Sequence, residues 1–402
     1  MEVGVTELIG LLRAFADEAP LSREEIAGLD AALPEVLHFA KLHNVLGIWA
    51  YKVWEYYANT PAETPEEQEV AAAAQQIYSH TVAHGAKYAA WYQRLSQSLA
   101  QNSIDHLAFK GIVVKDLYPV PELRTFSDVD FVIRKEDRER CHALMQSLDY
   151  ETVVDFEPVY TYRKEAELYE IHTGIMSVNF TERADYIGYF RDLWSNASKI
   201  GNHVWAFSIE FHFIYLLSHI AKHIYGSGAG IRMYLDLALY IKELGKTMDW
   251  AWIQAELEKL GLTQFFSLTL HSLKRWFGTQ IPVELPEVEE DLLAEFSVFT
   301  MESGVFGFEG RKPGEQLIRK QGEKKGLRIK ALKKNFFPSA EVIKSRYTYL
   351  EAHKWLLPVA WVDRVFRNFG RIGRVVEETK DIIAMREEEL QEVNTFYRRI
   401  GL

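Results

Sequence analysis

The sequence predicts an α+β protein: a small mixed-sheet core with helical regions on its N-terminal and C-terminal sides. Three observations carry this. Apolar residues recur at helical spacing through the first hundred positions. The period shortens to two in β-branched and aromatic runs between positions 104 and 172. Helical spacing then returns from about position 205. The chain has 402 residues, 48% hydrophobic and 26% charged, which is globular composition and excludes a disordered chain or a fibre.

In the first hundred residues, Glu7 to Leu12 opens one helix. Ser22 with Glu25 three positions later is a capping box for a second. Leu37, Ala40, Leu42, Val45 and Ile48 continue the helical period. The proline-marked stretch 60–65 is a connection, and Glu66 to Ala100 reads as one long helix. Ile104 to Phe109 is a strand that ends in the turn Lys110-Gly111, and Ile112 to Tyr118 is a short helix. Val129 to Ile133 is a second strand and Lys135 to Leu148 a helix. Strands at 151–154, 159–162 and 168–172 are close enough together for an antiparallel meander. Ile209 to Tyr225 and Ile231 to Leu244 are helices broken by the glycine-rich stretch 226–230. This divides the chain into a helical region 1–100, a core 101–204, a helical region 205–280 that closes a cleft, and a helical extension 281–402. The acidic stretch 283–298 reads as a solvated helix, balanced by the basic run 311–334.

The net charge of −11 argues against sequence-independent binding to duplex DNA, which needs a broad basic surface. A single cysteine, Cys141, cannot form an intramolecular disulfide and predicts a reducing, cytoplasmic setting. It falls on an amphipathic helix and reads as packing. The first twenty residues lack the basic start and continuous apolar stretch of a secretory leader, and no run approaches a membrane span.

The chemistry concentrates around Asp128-Val129-Asp130. Alternate residues of a strand share a face, so both carboxylates project together. Two carboxylates this close repel unless a cation lies between them, and a hard divalent ion with oxygen ligands, Mg²⁺ or Mn²⁺, resolves that repulsion. The same pattern also caps turns or faces solvent, so its context decides. Lys110-Gly111 offers a positive head and a turn that a phosphate can approach. Arg124 offers a guanidinium to phosphate oxygens. Glu170, on the strand at 168–172, completes a three-carboxylate cluster if that strand lies beside the Asp128 strand.

His219 and His223 share a helix face one turn apart. Ile220 stands where a zinc protease has its glutamate, which removes that reading. The pair is then either packed in the core or, with Lys222, lines the cleft near phosphates. Arg232 and Asp236 are spaced as a helix ion pair. The glycine-rich stretch 226–230 follows a helix rather than a strand, so it reads as a helix–helix loop and not a phosphate loop.

Several motifs in order carry a family resemblance: Lys110-Gly111, Leu117 to Arg124, Ser127 to Asp130, Glu170-Ile171-His172, His219 to His223, Arg232 with Asp236, and Phe336 to Ser339. The chain resembles the uncharacterised bacterial nucleotidyltransferases of the DNA polymerase beta-like superfamily over roughly residues 35–365. The resemblance implies a nucleotidyltransferase-like mixed sheet. It implies that Asp128 and Asp130 hold Mg²⁺ ions (or Mn²⁺) that bridge the phosphates of an NTP, ATP in the first instance, and that Glu170 is the third carboxylate and orients or deprotonates an acceptor hydroxyl. Lys110, Gly111, Arg124, Ser127, His172, His219, Lys222 and His223 are the matching nucleotide-binding positions. The acceptor is left open among a small molecule, a sugar, a protein and RNA. Two departures stand out: the superfamily's usual Gly-Ser turn is Lys110-Gly111 here, and the third carboxylate is Glu rather than Asp. The alternatives are a kinase-like phosphotransfer at the same site, or a non-catalytic binding module.

Overall fold

In the computed structural model the described residues are 4–226, 228–304, 353–361 and 395–402. Five helices come first: α1 Val5–Ala16, α2 Arg23–Ala31, α3 Leu33–Leu42, α4 Leu46–Asn59 and α5 Pro65–Gln101. Ser22 and Glu25 form the capping box at the start of α2: the Ser22 hydroxyl accepts the Glu25 N–H at 3.2 Å, and the Glu25 carboxylate accepts the Ser22 N–H at 2.7 Å. Thr64 and Glu67 repeat the motif at α5. Pro65 sits there at a first-turn position, where its missing N–H costs nothing.

The sheet follows. Its elements in chain order are β1 His106–Ala108, α6 Gly111–Val114, β2 Val129–Ile133, α7 Arg138–Ser147, β3 Glu151–Phe156, β4 Val159–Lys164, β5 Glu167–His172, α8 Tyr186–Tyr189, β6 Ala197–Gly201 and β7 Val204–Phe207. The strand order is β3-β4-β5-β2-β1-β7-β6. β3, β4 and β5 form an antiparallel meander, β5 joins β2 in parallel, and β1 is antiparallel to β2 and parallel to β7. Five more helices follow in the described residues up to 304: α9 Ile209–Gly226, α10 Ile231–Leu244, α11 Trp250–Lys259, α12 Thr263–Phe277 and α13 Glu290–Ser303.

The sheet separates two cores. On one face Val129, Phe131 and Ile133 of β2, with Tyr169 and Ile171 of β5, pack against Tyr88, Leu95 and Leu99 of α5 and Cys141 and Met145 of α7. On the other face Leu107, Phe109 and Val132 join the larger helical core built around α9, α10 and α12. Period-two alternation therefore sends Asp130, Glu170 and His172 toward the α9 side, where the candidate site lies.

Strands β6 and β7, at one side of the sheet, were not read from the sequence. Two expectations change. The acidic stretch 283–298 is helical only from Glu290. That helix is not simply solvated, because Leu292, Leu293, Phe296 and Phe299 are buried against the core. Arg232 does not pair with Asp236, because Asp236 is engaged elsewhere, as described below. The basic run 311–334, the Phe336 to Ser339 segment and most of the charged tail lie outside the described residues. Among the described residues no helix is long and apolar enough to cross a membrane.

Candidate active site

β1 ends in a strained turn. Lys110 has φ +57°, a conformation that costs a side-chain-bearing residue free energy and persists only where its surroundings enforce it. Those surroundings are on both sides. The Lys110 N–H points to His212 Nε2 at 3.3 Å, and its carbonyl accepts from Val113 and Val114 at the start of α6. Burial lowers the His212 pKa to about 4, so its ring is neutral and free to accept.

The turn aims the Lys110 ammonium at β2. Lys110 Nζ donates to Asp130 Oδ1 at 2.6 Å and lies 4.9 Å from the Phe109 ring centroid. His172 Nε2 approaches the same oxygen at 2.8 Å and Glu170 Oε2 at 3.4 Å. β2 and β5 pair with Asp130 directly opposite Glu170, and Val132 opposite His172. Burial alone would raise the Asp130 pKa; the Lys110 charge and the His172 hydrogen bond hold it well below the usual carboxylate range. Asp128 behaves oppositely. Burial, then the nearby charges of Asp130 and Glu170, push it up to about 6. Asp130, Glu170 and His172 offer ligand atoms within 4.8 Å of one another.

These groups open into a cleft of about 350 Å³ between the sheet and helices α9 and α10. Lys110, Gly111, Arg124, Ser127, Asp128, Asp130, Glu170, His219, Lys222 and His223 all line it, while His172 stands behind Asp130. The opposite wall is cationic or neutral. Burial first, then the neighbouring Lys110, lowers the Lys222 pKa to about 8. Burial and Lys222 lower His223 to about 4, and His219 lies well below its usual value. His219 and His223 face each other with their Nε2 atoms 3.2 Å apart. A second cavity of about 490 Å³ adjoins across Lys222 and His223 and reaches the segment Ser177 to Glu182.

Arg124 is not free. It is buried and forms a two-pronged pair with Asp236, Nε to Oδ1 at 3.0 Å and Nη2 to Oδ2 at 2.7 Å, and its Nη1 donates to the Thr125 carbonyl at 2.8 Å. Tyr118 adds its hydroxyl to Asp236 at 2.7 Å. Arg232 turns away from Asp236 and donates to the same Thr125 carbonyl; its Nε is buried without a hydrogen-bond partner. Burial and Arg124 lower the Arg232 pKa to about 10. Gly111 is required by this arrangement. A Cβ there would meet Arg124 Nη1 at 2.6 Å, so the close approach at the turn is made by a guanidinium of the chain itself.

The sequence reading had no means to find His212, Tyr118 or the Arg124–Asp236 pair, whose partners lie 112 residues apart. The only signal was that Tyr118, Arg124 and Asp236 fell within motifs.

The carboxylate oxygens of Asp128, Asp130 and Glu170 are hard donors of the kind Mg²⁺ and Mn²⁺ take. Asp130 and Glu170 stand opposite one another on paired strands and share the cleft with Asp128, so the donor set fits such an ion.

A family model described as an uncharacterised nucleotidyltransferase matches residues 30–278. No curated protein matches the chain. Among solved structures, the solution structure of the antibiotic-resistance factor ANT(2'')-Ia aligns at a TM-score of 0.32 and 12% identity, over 46% of this chain and 97% of that one.

Proposed function

Since the chain belongs to the uncharacterised nucleotidyltransferase family, we propose that it transfers a nucleoside monophosphate from an NTP to a hydroxyl or phosphate of an acceptor, with Mg²⁺ or Mn²⁺ held by Asp128, Asp130 and Glu170. The observation that carries this reading is the in-register placement of Asp130 and Glu170 on neighbouring strands, facing one cleft with Asp128. Three acidic groups on one side of the cleft, with Lys110 beside them and Lys222 across from them, suit a metal-bound polyanionic donor whose phosphates lie between them.

The bound divalent ion would neutralise phosphate charge and polarise the α-phosphorus. The chain's own residues do the rest. Lys110 and Lys222 draw the phosphate tail across the cleft, which Gly111 and Ser127 also line. His172 and, before the nucleotide enters, Lys110 hold Asp130 Oδ1, which fixes the carboxylate's rotation. Glu170 orients the acceptor hydroxyl and takes its proton as the acceptor oxygen bonds to the α-phosphorus and pyrophosphate departs. Catalysis is then chiefly positioning and charge neutralisation. The second cavity beyond Lys222 and His223 is the place for the acceptor, whether small molecule, sugar, protein or RNA. The setting is cytoplasmic.

Thermal-shift titration of the four NTPs, with and without Mg²⁺ or Mn²⁺, tests this on wild type and Asp130→Ala. A nucleotide at 100 times its Kd stabilises by about 2.7 kcal/mol. A metal-dependent shift for the wild type alone is expected, with ATP giving the largest. Absence of any metal-dependent shift would leave a non-catalytic module. Pyrophosphate among the products identifies nucleotidyl transfer, whereas ADP would identify phosphoryl transfer.

A further inference from the structure

Among the described residues, Lys110 is the only lysine or arginine in contact with the acidic cluster. Its ammonium is 2.6 Å from Asp130 Oδ1, the Asp130 side chain is only 9% exposed, and the Lys110 side chain is 20% exposed. Arg124 is consumed by Asp236, Arg232 by the Thr125 carbonyl, and Lys222 makes no ion pair with Asp128, Asp130 or Glu170. One of the three carboxylates, Asp130, is therefore compensated by a side chain of the chain itself.

We infer that Lys110 is a resident counter-ion whose transfer from Asp130 to the phosphate tail makes divalent-metal binding contingent on nucleotide. The inference rests on the nucleotidyltransferase reading above and adds to it an order of events at the site. A divalent ion entering alone meets the Lys110 ammonium already on Asp130, and the two positive charges repel across a few ångströms in a buried setting. A nucleotide entering alone brings its phosphates against three carboxylates. Entering together, the phosphates accept the ammonium while the ion takes over the carboxylates, and neither charge is left uncompensated.

The main chain allows this exchange. The Lys110 backbone is pinned by His212 on one side and the first turn of α6 on the other, so the swing is confined to a flexible four-carbon stem. That stem starts in the same cleft as Lys222 and Arg232. By linkage the coupling is reciprocal, and metal and nucleotide tighten one another by the same factor.

Mn²⁺ binding, read from the free-ion signal in electron paramagnetic resonance, tests this with and without a non-hydrolysable ATP analogue. For the wild type, Mn²⁺ alone should bind weakly and the analogue should tighten it by about tenfold or more. Lys110→Met should bind Mn²⁺ alone about tenfold more tightly than wild type and bind the analogue more weakly, so that the coupling largely vanishes. Lys110→Arg keeps the charge and should keep the weak binding of Mn²⁺ alone. Lys222→Met, which removes a cation not in contact with Asp130, should weaken the analogue and leave Mn²⁺ alone within about threefold of wild type. Unfolding in EDTA is followed for each variant, and Lys110→Gln replaces the methionine variant if that one does not fold. Wild type that binds the Mn²⁺–analogue pair, with a Lys110→Met unchanged toward Mn²⁺ alone, overturns the inference and leaves the functional reading standing. Wild type that binds no Mn²⁺–nucleotide pair overturns both.

Discussion

Asp130 shows how one carboxylate can be held ionised inside a protein: two donors meet at one of its oxygens, Lys110 from the turn after β1 and His172 from β5. His172 is the positioning partner. Replacing it with Asn removes the hydrogen bond without adding charge, and metal–nucleotide affinity should fall about 10–100-fold, measured by Mn²⁺ titration in the presence of nucleotide. Asp128 is the opposite case, with a folded-state pKa raised from 3.8 to about 6 by burial and its acidic neighbours. A raised acid binds its proton more tightly folded than unfolded, so its contribution to stability declines as pH rises through the window from about 4 to about 6. Asp128→Asn should therefore gain stability relative to wild type over that window, and the gain should persist at pH 7. Denaturant midpoints between pH 4 and 7 in EDTA measure it, and a difference that does not change with pH would refute it. Alternation along a strand accounts for the shared face of Asp130 and Val132, whereas Glu170 comes opposite Asp130 only through the pairing of β2 with β5, and Asp128 lies just before β2. The ammonium on Asp130 could not be read from the sequence, because nothing in a linear pattern says which donor a carboxylate meets.

Elements are fixed by close approaches that glycine alone permits. Gly85 brings α5 against the turn at 121–123: a Cβ there would lie 2.5 Å from the Glu122 carbonyl oxygen and 2.8 Å from its Cα. Backbone cannot yield as a side-chain tip can, so Gly85→Ala should destabilise by about 1–3 kcal/mol in chemical denaturation, with α5 displaced from the sheet. The Arg124–Asp236 pair ties that same stretch to α10. Asp236→Ala leaves a buried guanidinium without its anion and should cost about 3–5 kcal/mol in the same measurement. Most helices and five of the strands could be read from the sequence, because apolar spacing and caps are local. β6 and β7 were missed for a physical reason. β7 is apolar without alternation (Val-Trp-Ala-Phe), β6 is an exposed edge strand, and they are defined by pairing, β7 with β1 and β6 with β7. The acidic helix was misjudged because its charges cluster ahead of its first turn, while its buried face starts at Leu292.

Across the molecule, the sheet side facing α9 shares one continuous apolar core with helices from both ends of the chain, α1 through α13. Trp276 is fully buried there, edge-on to Tyr234 and stacked on Phe296. Trp276→Ala should cost about 3–5 kcal/mol. Far- and near-ultraviolet circular dichroism should report one coincident unfolding transition in wild type and variant alike. Two separated transitions would show that the sheet and the helical regions are held together less tightly than their shared core implies. That helical regions stand on both sides of the sheet in the chain was evident from the order of periods. How they close was not, because the contacts join residues hundreds of positions apart.

The parallel pairing of β2 with β5 also constrains how this sequence can change. Glu170 reaches Asp130 only after an excursion through β3 and β4, so the length of that detour is free while its parity is not. One residue gained between Lys164 and Leu168 and absorbed by β5 would turn Glu170 toward α5 and empty the acidic wall, whereas gains confined to the turns would pass unnoticed. Lineages that lengthen this hairpin should do so at its tips, or in even steps.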